Sequence, residues 1–398
     1  MTFTAFVCST RTGRNYGPLD CKISSWARVL NGSDTSSVQL FPGALTPATR
    51  DEYRQSTTPG LMSLVIDWDG IPLVAGPIWN RPLQGDAVTI NASGIRNLLV
   101  RRKAHTWATP LAGQALTYAD MSLGSIAAEL VRVATSSTKP GAELPIVLPN
   151  VEIDTDAGHT RTYAGFDLKS VSDLLNDITG VQDGPDIDFR PEWVDSNRSA
   201  IRWRMLVGSN EQPLLISQNQ LAFDYAAPRS GVRQVDSTED ASQMATAQWA
   251  KGAGSDTSTL MSLAVDTTYT DLGFPLLENE TDYTTVSDQG TLDTHAAGDQ
   301  AAFAQPTEQY DVTVDALDDP PLGSYGLGDV ATIRVQDHFW LPDSPPAGYP
   351  VRILGYSGNG TTTVKLAVQD AALRGLDVLG TADQQLASRV ARLERQSG

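Results

Sequence analysis

At 398 residues the chain exceeds what one ordinary core holds, and roughly two to four domains are expected. Its 40% hydrophobic content, with 8 Trp, 11 Tyr and 9 Phe, excludes wholesale disorder. The 29 Lys and Arg against 47 Asp and Glu leave a net charge of −18, which argues against a protein that grips nucleic acid through phosphates. A duplex passing nearby is not excluded, because an acidic wall repels it, and solubility alone explains the acidity equally well.

Residues 1–21 read as an N-terminal arm. Residues 1–7 lack a basic region followed by an apolar run, so no secretion signal is expected. No stretch approaches the roughly 20 apolar residues of a membrane span, so the expectation is a protein made soluble in a cytoplasm, without membrane insertion. Cys8 and Cys21 are the only cysteines. A bridge between them is open on spacing, but two Cys do not make a disulfide scaffold, and free thiols are the preferred reading.

Residues 22–103 read as an all-β unit. Residues 61–68 form one apolar run, and Asp69-Gly70 is a strong hairpin signal into residues 71–75. Residues 86–92 alternate through Val88, Ile90 and Ala92. Short strands with regular turn residues suggest a barrel or sandwich, closed by a helical turn or two over 94–102.

Residues 104–213 change character and predict an α+β insert. Residues 116–120 are expected to cap a helix in which Ile126, Leu130 and Val133 share a face. A second amphipathic helix is expected from Asp167, with Leu168, Val171, Leu174, Leu175 and Ile178 at helical spacing. It breaks at Gly180 and leads into a strand pair over 186–191 and 199–206.

Residues 214–370 return to β, with strands expected at 310–314, 330–335, 351–355 and 362–368. A loose strand is expected within 241–251, and a helix over 291–304 packing through Thr294, Ala297, Ala301, Phe303 and Ala304. Pro342, Pro345, Pro346 and Pro350 stiffen a loop between strands. In residues 371–398, Leu376, Leu379, Asp383, Leu386, Val390 and Leu393 follow 3-4 spacing, an a/d seam of under three heptads. So short a helix is marginal alone. Self-association is favoured over a cap docked on its own chain.

Catalytic signatures are missing. His105, His159, His295 and His338 lie far apart, without ligands at metal spacing. Gly355, Tyr356, Ser357 and Gly358 fall short of a nucleophile elbow. Asp154, Asp156 and Gly158 suggest a calcium loop, but Gly165 stands where the closing Glu belongs. Acid pairs such as Asp318/Asp319 and Glu278/Glu280 are expected by chance among so many carboxylates. No catalytic, metal or cofactor residue is assigned, and the chain is expected not to be an enzyme.

The order of parts resembles the central hub (minor tail or tail-associated) proteins of long-tailed bacteriophages. The parts that carry this are the helix from Asp167, the strand pair after it, and the closing strands around Gly326–Gly328 and Arg352–Ser357. The opening segment, with Ser25-Trp26, Leu30-Asn31, Asp69-Gly70 and Ala75 through Ile78, is similar to hubs of actinobacterial phages. The resemblance covers nearly the whole chain through element order and diffuse motifs.

That resemblance implies a mainly β, α+β fold with two tube-type β-barrel domains (22–103 and 214–370) and a peripheral insert (104–213). Three chains would then continue a six-fold tail tube, with Leu376, Leu379, Leu386, Val390 and Leu393 joining them. DNA would pass without specific binding. Implied partners are the distal tail protein, the tape measure protein and other tail-tip or fibre proteins, in a virion assembled in the host cytoplasm. Many such proteins extend into a wall hydrolase or fibre; here the chain stops at Gly398, so those activities are expected from another protein. One competing reading is a tail-tip adhesin that stacks Trp340, Tyr349 and Trp193 on cell-surface carbohydrate. A wall-glycan hydrolase ranks below it for lack of a positioned site.

Overall fold

A computed structural model describes residues 2–152, 158–180, 184–209, 211–216, 221–225, 231–283, 286, 288–341 and 343–370. The fold is mainly β with few helices. Two β units dominate it, and each contains five strands in the same spatial order. The first unit runs Lys22–Val29, Thr35–Leu40, Met62–Trp68, Ile71–Asn80 and Ala87–Ser93; the second runs Val232–Asp240, Thr307–Asp315, Val330–Arg334, Tyr349–Gly358 and Thr363–Asp370. In both, the first strand pairs with the second, the second with the fifth, the fifth with the fourth and the fourth with the third. Chain order and sheet order therefore repeat together.

The two tube-type β-barrels expected over 22–103 and 214–370 are not confirmed as such. No closed barrel forms among the described residues; the units join edge to edge in one sheet. At the seam Lys22–Val29 lies antiparallel to Tyr349–Gly358, with Val29 opposite Gly355, Arg28 opposite Tyr356 and Trp26 opposite Gly358. The physical reason is that an isolated four- or five-strand unit leaves unpaired edges, and a second unit of the same twist satisfies one of them. Counting outward from this seam gives a run of eight antiparallel strands. One core lies beneath it, in which Trp26, Leu64, Ile66 and Trp68 pack with Phe223, Val312, Ile353 and Leu366.

Local signals explain the individual strands. Asp69 and Gly70 both take positive φ, 49° and 97°, as the type I′ hairpin between Met62–Trp68 and Ile71–Asn80 requires. Residues read as an arm instead supply two strands: Phe3–Ser9 lies between Met62–Trp68 and Asn15–Leu19. Strand alternation lets Ala5 and Val7 enter the main core while Phe6 and Cys8 enter a second one on the opposite face. Cys8 is buried and Cys21 half-buried, both as free thiols. Burial pushes each up to about 12, helped at Cys21 by Asp20.

The insert builds that second core against the first unit. Helix Leu123–Ala134 starts at Ser122, which accepts from Ser125 N, and helix Val171–Thr179 starts at Ser170, which accepts from Asp173 N. Val171, Leu174, Leu175 and Ile178 are buried as the spacing predicts, but Leu168 is not on that face. It sits before the cap at φ 47° with its side chain exposed. Ile126 and Leu130 are buried, Val133 only partly. The residues expected to cap the first helix form a strand instead, Ala115–Met121, paired with His159–Ala164. The expected strand pair is present as Ile187–Trp193 and Ile201–Val207.

A small sheet of Ala247–Lys251, Met261–Val265 and Glu278–Asp282 packs on helix Gln289–Phe303 through Ala250, Leu292 and Ala296. Of the residues expected to pack that helix, Thr294, Ala297 and Ala301 point to solvent, while Phe303 and Ala304 are partly buried. Leu292 and Ala296, one residue out of phase with that reading, carry the contact.

Candidate functional site

The eight-strand run has two faces of opposite chemistry. Val38, Ile90, Val312, Val314, Val364 and Leu366 fill the inner one. On the other, one row crosses seven strands as Gln234, Thr313, Lys365, Ser357, Ala27, Thr35 and Ser93. The neighbouring row of the first unit is Ser25, Ser37, Asn91 and Asn80. Ser37 Oγ donates to Asn91 Oδ1 at 2.9 Å, and Asn91 Nδ2 donates to Asn80 Oδ1 at 2.7 Å. In the second unit the adjacent row begins with Asp236 and Asp311. These rows hold no aromatic or large aliphatic side chain and one cation, Lys365. Small hydroxyls and amides already bonded to one another offer an anion little to hold. A groove of about 480 Å³ runs over the first-unit part, bounded by Trp79 and Asn97.

Behind the seam sits a buried ionic lock. Arg28 donates to Asp188 of the insert and lies 3.4 Å from Asp34 Oδ2. Arg352 donates to Asp186 and to the Gly328 carbonyl, the latter at 3.2 Å. Asn31, in the left-handed region at φ 56°, donates to Asp186 Oδ1 at 3.3 Å and accepts from Ile187 N at 2.7 Å. Leu215 N completes the shell of Asp186 at 2.9 Å. All five charged groups are less than 8% exposed. One strand of each β unit and the insert hairpin are thereby fixed to one another.

Electrostatics in the lock run in opposite directions. Burial alone would lower Arg28, but Asp188, Tyr356 and Asp34 outweigh it and hold the guanidinium charged. For Asp34, burial outweighs Arg28 and pushes the carboxyl up to about 6. A carboxyl raised in the folded state from its ordinary value near 4 contributes stability that is complete below about pH 4 and is lost as pH rises through about 6. From pH 7 to pH 5 Asp34 is therefore expected to add stability, with a slope of at most about 1.4 kcal/mol per pH unit. Urea midpoints at those two pH values check it: Asp34→Asn should flatten the difference, and an unchanged difference would assign it elsewhere.

The other sequence candidates do not converge. His105 is buried, with Nε2 bound to the Leu111 carbonyl at 2.9 Å and Nδ1 accepting from Trp107 N. His295 stacks on Tyr283, and His338 Nδ1 accepts from Trp340 N and Leu341 N. No group of three metal-binding side chains occurs among the described residues. Asp154 and Asp156 lie outside those residues. Asp318 pairs with Arg233, Glu280 with Lys251, and Glu278 accepts from Trp249 Nε1. Trp193 is packed edge-on to Phe6 and donates to Asp67 at 2.7 Å, whereas Trp340 is exposed. Tyr349 is partly buried, its hydroxyl donating to the Asp343 carbonyl. Leu376, Leu379, Leu386, Val390 and Leu393 lie outside the described residues. Sequence reasoning missed the lock, whose bonded partners are up to 166 positions apart. Among described residues no helix is long and apolar enough to cross a membrane.

No protein-family profile and no curated protein matches the chain. Solved structures do. The 43 kDa tail protein of prophage MuSo2 from Shewanella oneidensis superposes with TM-score 0.56 at 11% identity, over 93% of this chain and 99% of that one. A tail protein from Neisseria meningitidis MC58 gives 0.54 at 13% identity, over 95% and 99%. A lidless PdpA–VgrG complex gives 0.51 at 8%, over 93% of this chain and 65% of the other. The chain thus shares its overall fold with solved phage tail proteins.

Proposed function

We propose that this chain is a structural hub of a phage tail tip, not an enzyme, and that three copies form a ring with pseudo-six-fold symmetry around the DNA channel. The single observation that carries the reading is the repeated strand order. Each unit contributes four strands to the run, so three chains present the same unit six times. An eight-strand run closed on itself would be filled by its own side chains. Twenty-four tilted strands at about 4.8 Å spacing instead enclose a ring about 50 Å across at the backbone. The polar face would line it, and the −18 chain would repel the passing duplex.

In this reading 22–103 and 214–370 are the tube domains and 104–213 faces outward, toward the distal tail, tape measure and other tail-tip or fibre proteins. The closing helix, through Leu376, Leu379, Leu386, Val390 and Leu393, would tie the copies together in the virion. Mass measurement in solution or a low-resolution image should give a pierced trimeric ring; a stable monomer or dimer refutes it. Leu386→Asp is expected to weaken trimerisation while leaving the thermal melt of the sheet in place. Unchanged assembly would make that helix a local cap.

A second reading, an adhesin for host carbohydrate, draws on Phe339 and Trp340, adjacent rings 92% and 81% exposed on one loop. Binding on a glycan array that is lost in Trp340→Ala would favour it.

A further inference from the structure

The small sheet beside helix Gln289–Phe303 ends on an apolar strand with one open side. Its order is Met261–Val265, Ala247–Lys251, Glu278–Asp282, so Met261–Val265 pairs on one side only among the described residues. Register decides which of its backbone groups face outward. Asp266 N donates to the Thr246 carbonyl at 2.9 Å, and the Leu260 carbonyl accepts from Gly252 N at 2.8 Å. In an antiparallel pair the bonding residues alternate. Ser262 and Ala264 therefore turn their N–H and C=O toward Ala247–Lys251, and Met261, Leu263 and Val265 turn theirs to the open side. Gln289 Nε2 donates to the Met261 carbonyl at 3.0 Å, and the backbone of Leu263 and Val265 has no partner among the described residues.

Sheets blunt such edges with a charge, a proline or a bulge. This strand reads Met-Ser-Leu-Ala-Val and has neither charge nor proline. Ala264 packs toward the helix, so Met261, Leu263 and Val265 share the other face, where they are 50%, 46% and 57% exposed. Charge then says what can cover the edge. Residues 241–306 hold one Lys and no Arg against nine Asp and Glu, and that Lys251 is already paired with Glu280 and Asp282. Two of the acids bracket the strand on its helix side: Asp293 accepts from Ser262 Oγ at 2.6 Å, and Asp266 directly follows Val265. Bonds from Ser262 and Gln289 lower Asp293, and bonds from Thr268 lower Asp266, so both stay ionised. A strand laid along this edge sends alternate side chains to opposite faces. One set meets Met261, Leu263 and Val265; the other meets Asp293 and Asp266.

We infer that Met261–Val265 is a docking edge for an extended segment of another protein, in which aliphatic residues alternate with Lys or Arg, taken up as a fourth strand of the small sheet. Main-chain bonds to Leu263 and Val265 supply the attachment, and the alternation supplies the selectivity. Two copies of this edge set against each other would bring like acids together, which is unfavourable. The inference goes beyond the hub reading and does not depend on three copies closing a ring.

The probe is a labelled peptide alternating Val with Lys over about eight residues, titrated into the full chain and followed by fluorescence anisotropy. A shuffled peptide of the same composition and an alternating Val–Glu peptide are the controls. The Val–Lys peptide should bind ~10-fold or more tighter than either control, and less tightly at about 1 M than at about 0.1 M salt. It should also slow hydrogen exchange across residues 261–265. Leu263→Lys puts a cation where an aliphatic contact was and should weaken binding ~10-fold or more. That side chain is exposed, so the variant should keep the wild-type melt. Leu263→Pro removes an N–H that no bond of the sheet uses and should weaken binding similarly; if it fails to fold, the lysine variant decides. Equal binding of the shuffled peptide, or no added protection over 261–265, reduces the attraction to charge alone and overturns the inference. Equal binding of the Val–Glu peptide, or none of the Val–Lys peptide at about 1 mM, overturns it as well. If Leu263→Lys lowers self-association of the chain with no peptide present, the edge belongs to a second copy and the inference falls.

Discussion

Arg28→Ala is expected to cost about 3–5 kcal/mol of folding stability, because it leaves charges buried without their counterion. Arg28 is 3% exposed and serves two carboxylates, Asp188 and Asp34, that are nearly as buried. Removing the guanidinium exposes neither acid to water; it places them in each other's field. The surviving partner on this side, Arg190, is 44% exposed and 3.6 Å from Asp188, too solvated to replace Arg28. Urea unfolding followed by tryptophan fluorescence reads the loss as a lowered midpoint at unchanged slope. A contrasting variant isolates the cause. Replacing Arg28, Asp34 and Asp188 together by apolar residues of similar volume should recover most of the stability, since a buried ionic cluster gains little over good packing. If Arg28→Ala costs under about 1 kcal/mol, water reaches the site and the lock does not hold the units together.

That lock also marks where sequence reading ran out. Features set by neighbours in the chain were legible. The Asp69-Gly70 hairpin follows from two residues that tolerate positive φ, and the buried stripe Val171, Leu174, Leu175, Ile178 follows from the helical repeat. The start of that helix was misplaced although its signal was present: Ser170, three residues before Asp173, accepts that residue's N–H, and Leu168 before it turns left-handed. Residues 115–119 alternate between exposed and partly buried, a period of two that favoured a strand over a cap. Helix Pro47–Ser56 went unread because it has no fully buried residue, with only Tyr53 partly buried against the core, leaving Thr46 and Pro47 to announce it. The expectation of two like β units drew on resemblance, and the structure gives it physical content as a shared strand order, with no closed barrel among the described residues. Pairing between Lys22–Val29 and Tyr349–Gly358 spans over 320 positions and has no local signal. Many edges could have satisfied either strand; what selects this one is the shared core and the lock beneath it.

Trp203→Ala is expected to cost about 3–5 kcal/mol and to loosen the insert and the first β unit together. Trp203 is fully buried, and its indole donates to the Ala75 carbonyl at 3.0 Å, across the boundary drawn between residues 103 and 104. Its core contains Phe6, Val65, Ile95 and Leu99 from one side of that boundary and Leu130, Leu175 and Met205 from the other. Truncation therefore opens a cavity between the two and leaves a carbonyl short of a donor, where Trp203→Phe keeps most of the volume and loses only the bond, about 1 kcal/mol. The order Ala far below Phe, Phe slightly below wild type, distinguishes packing from hydrogen bonding. Hydrogen exchange tells whether the two regions act as one body. In Trp203→Ala, protection should fall in Met62–Trp68 and Ile71–Asn80 as well as in the insert, because they share this core. Loss confined to 104–213 would make the insert an independently stable domain. Loss in both places would make the insert and the first β unit one cooperative body.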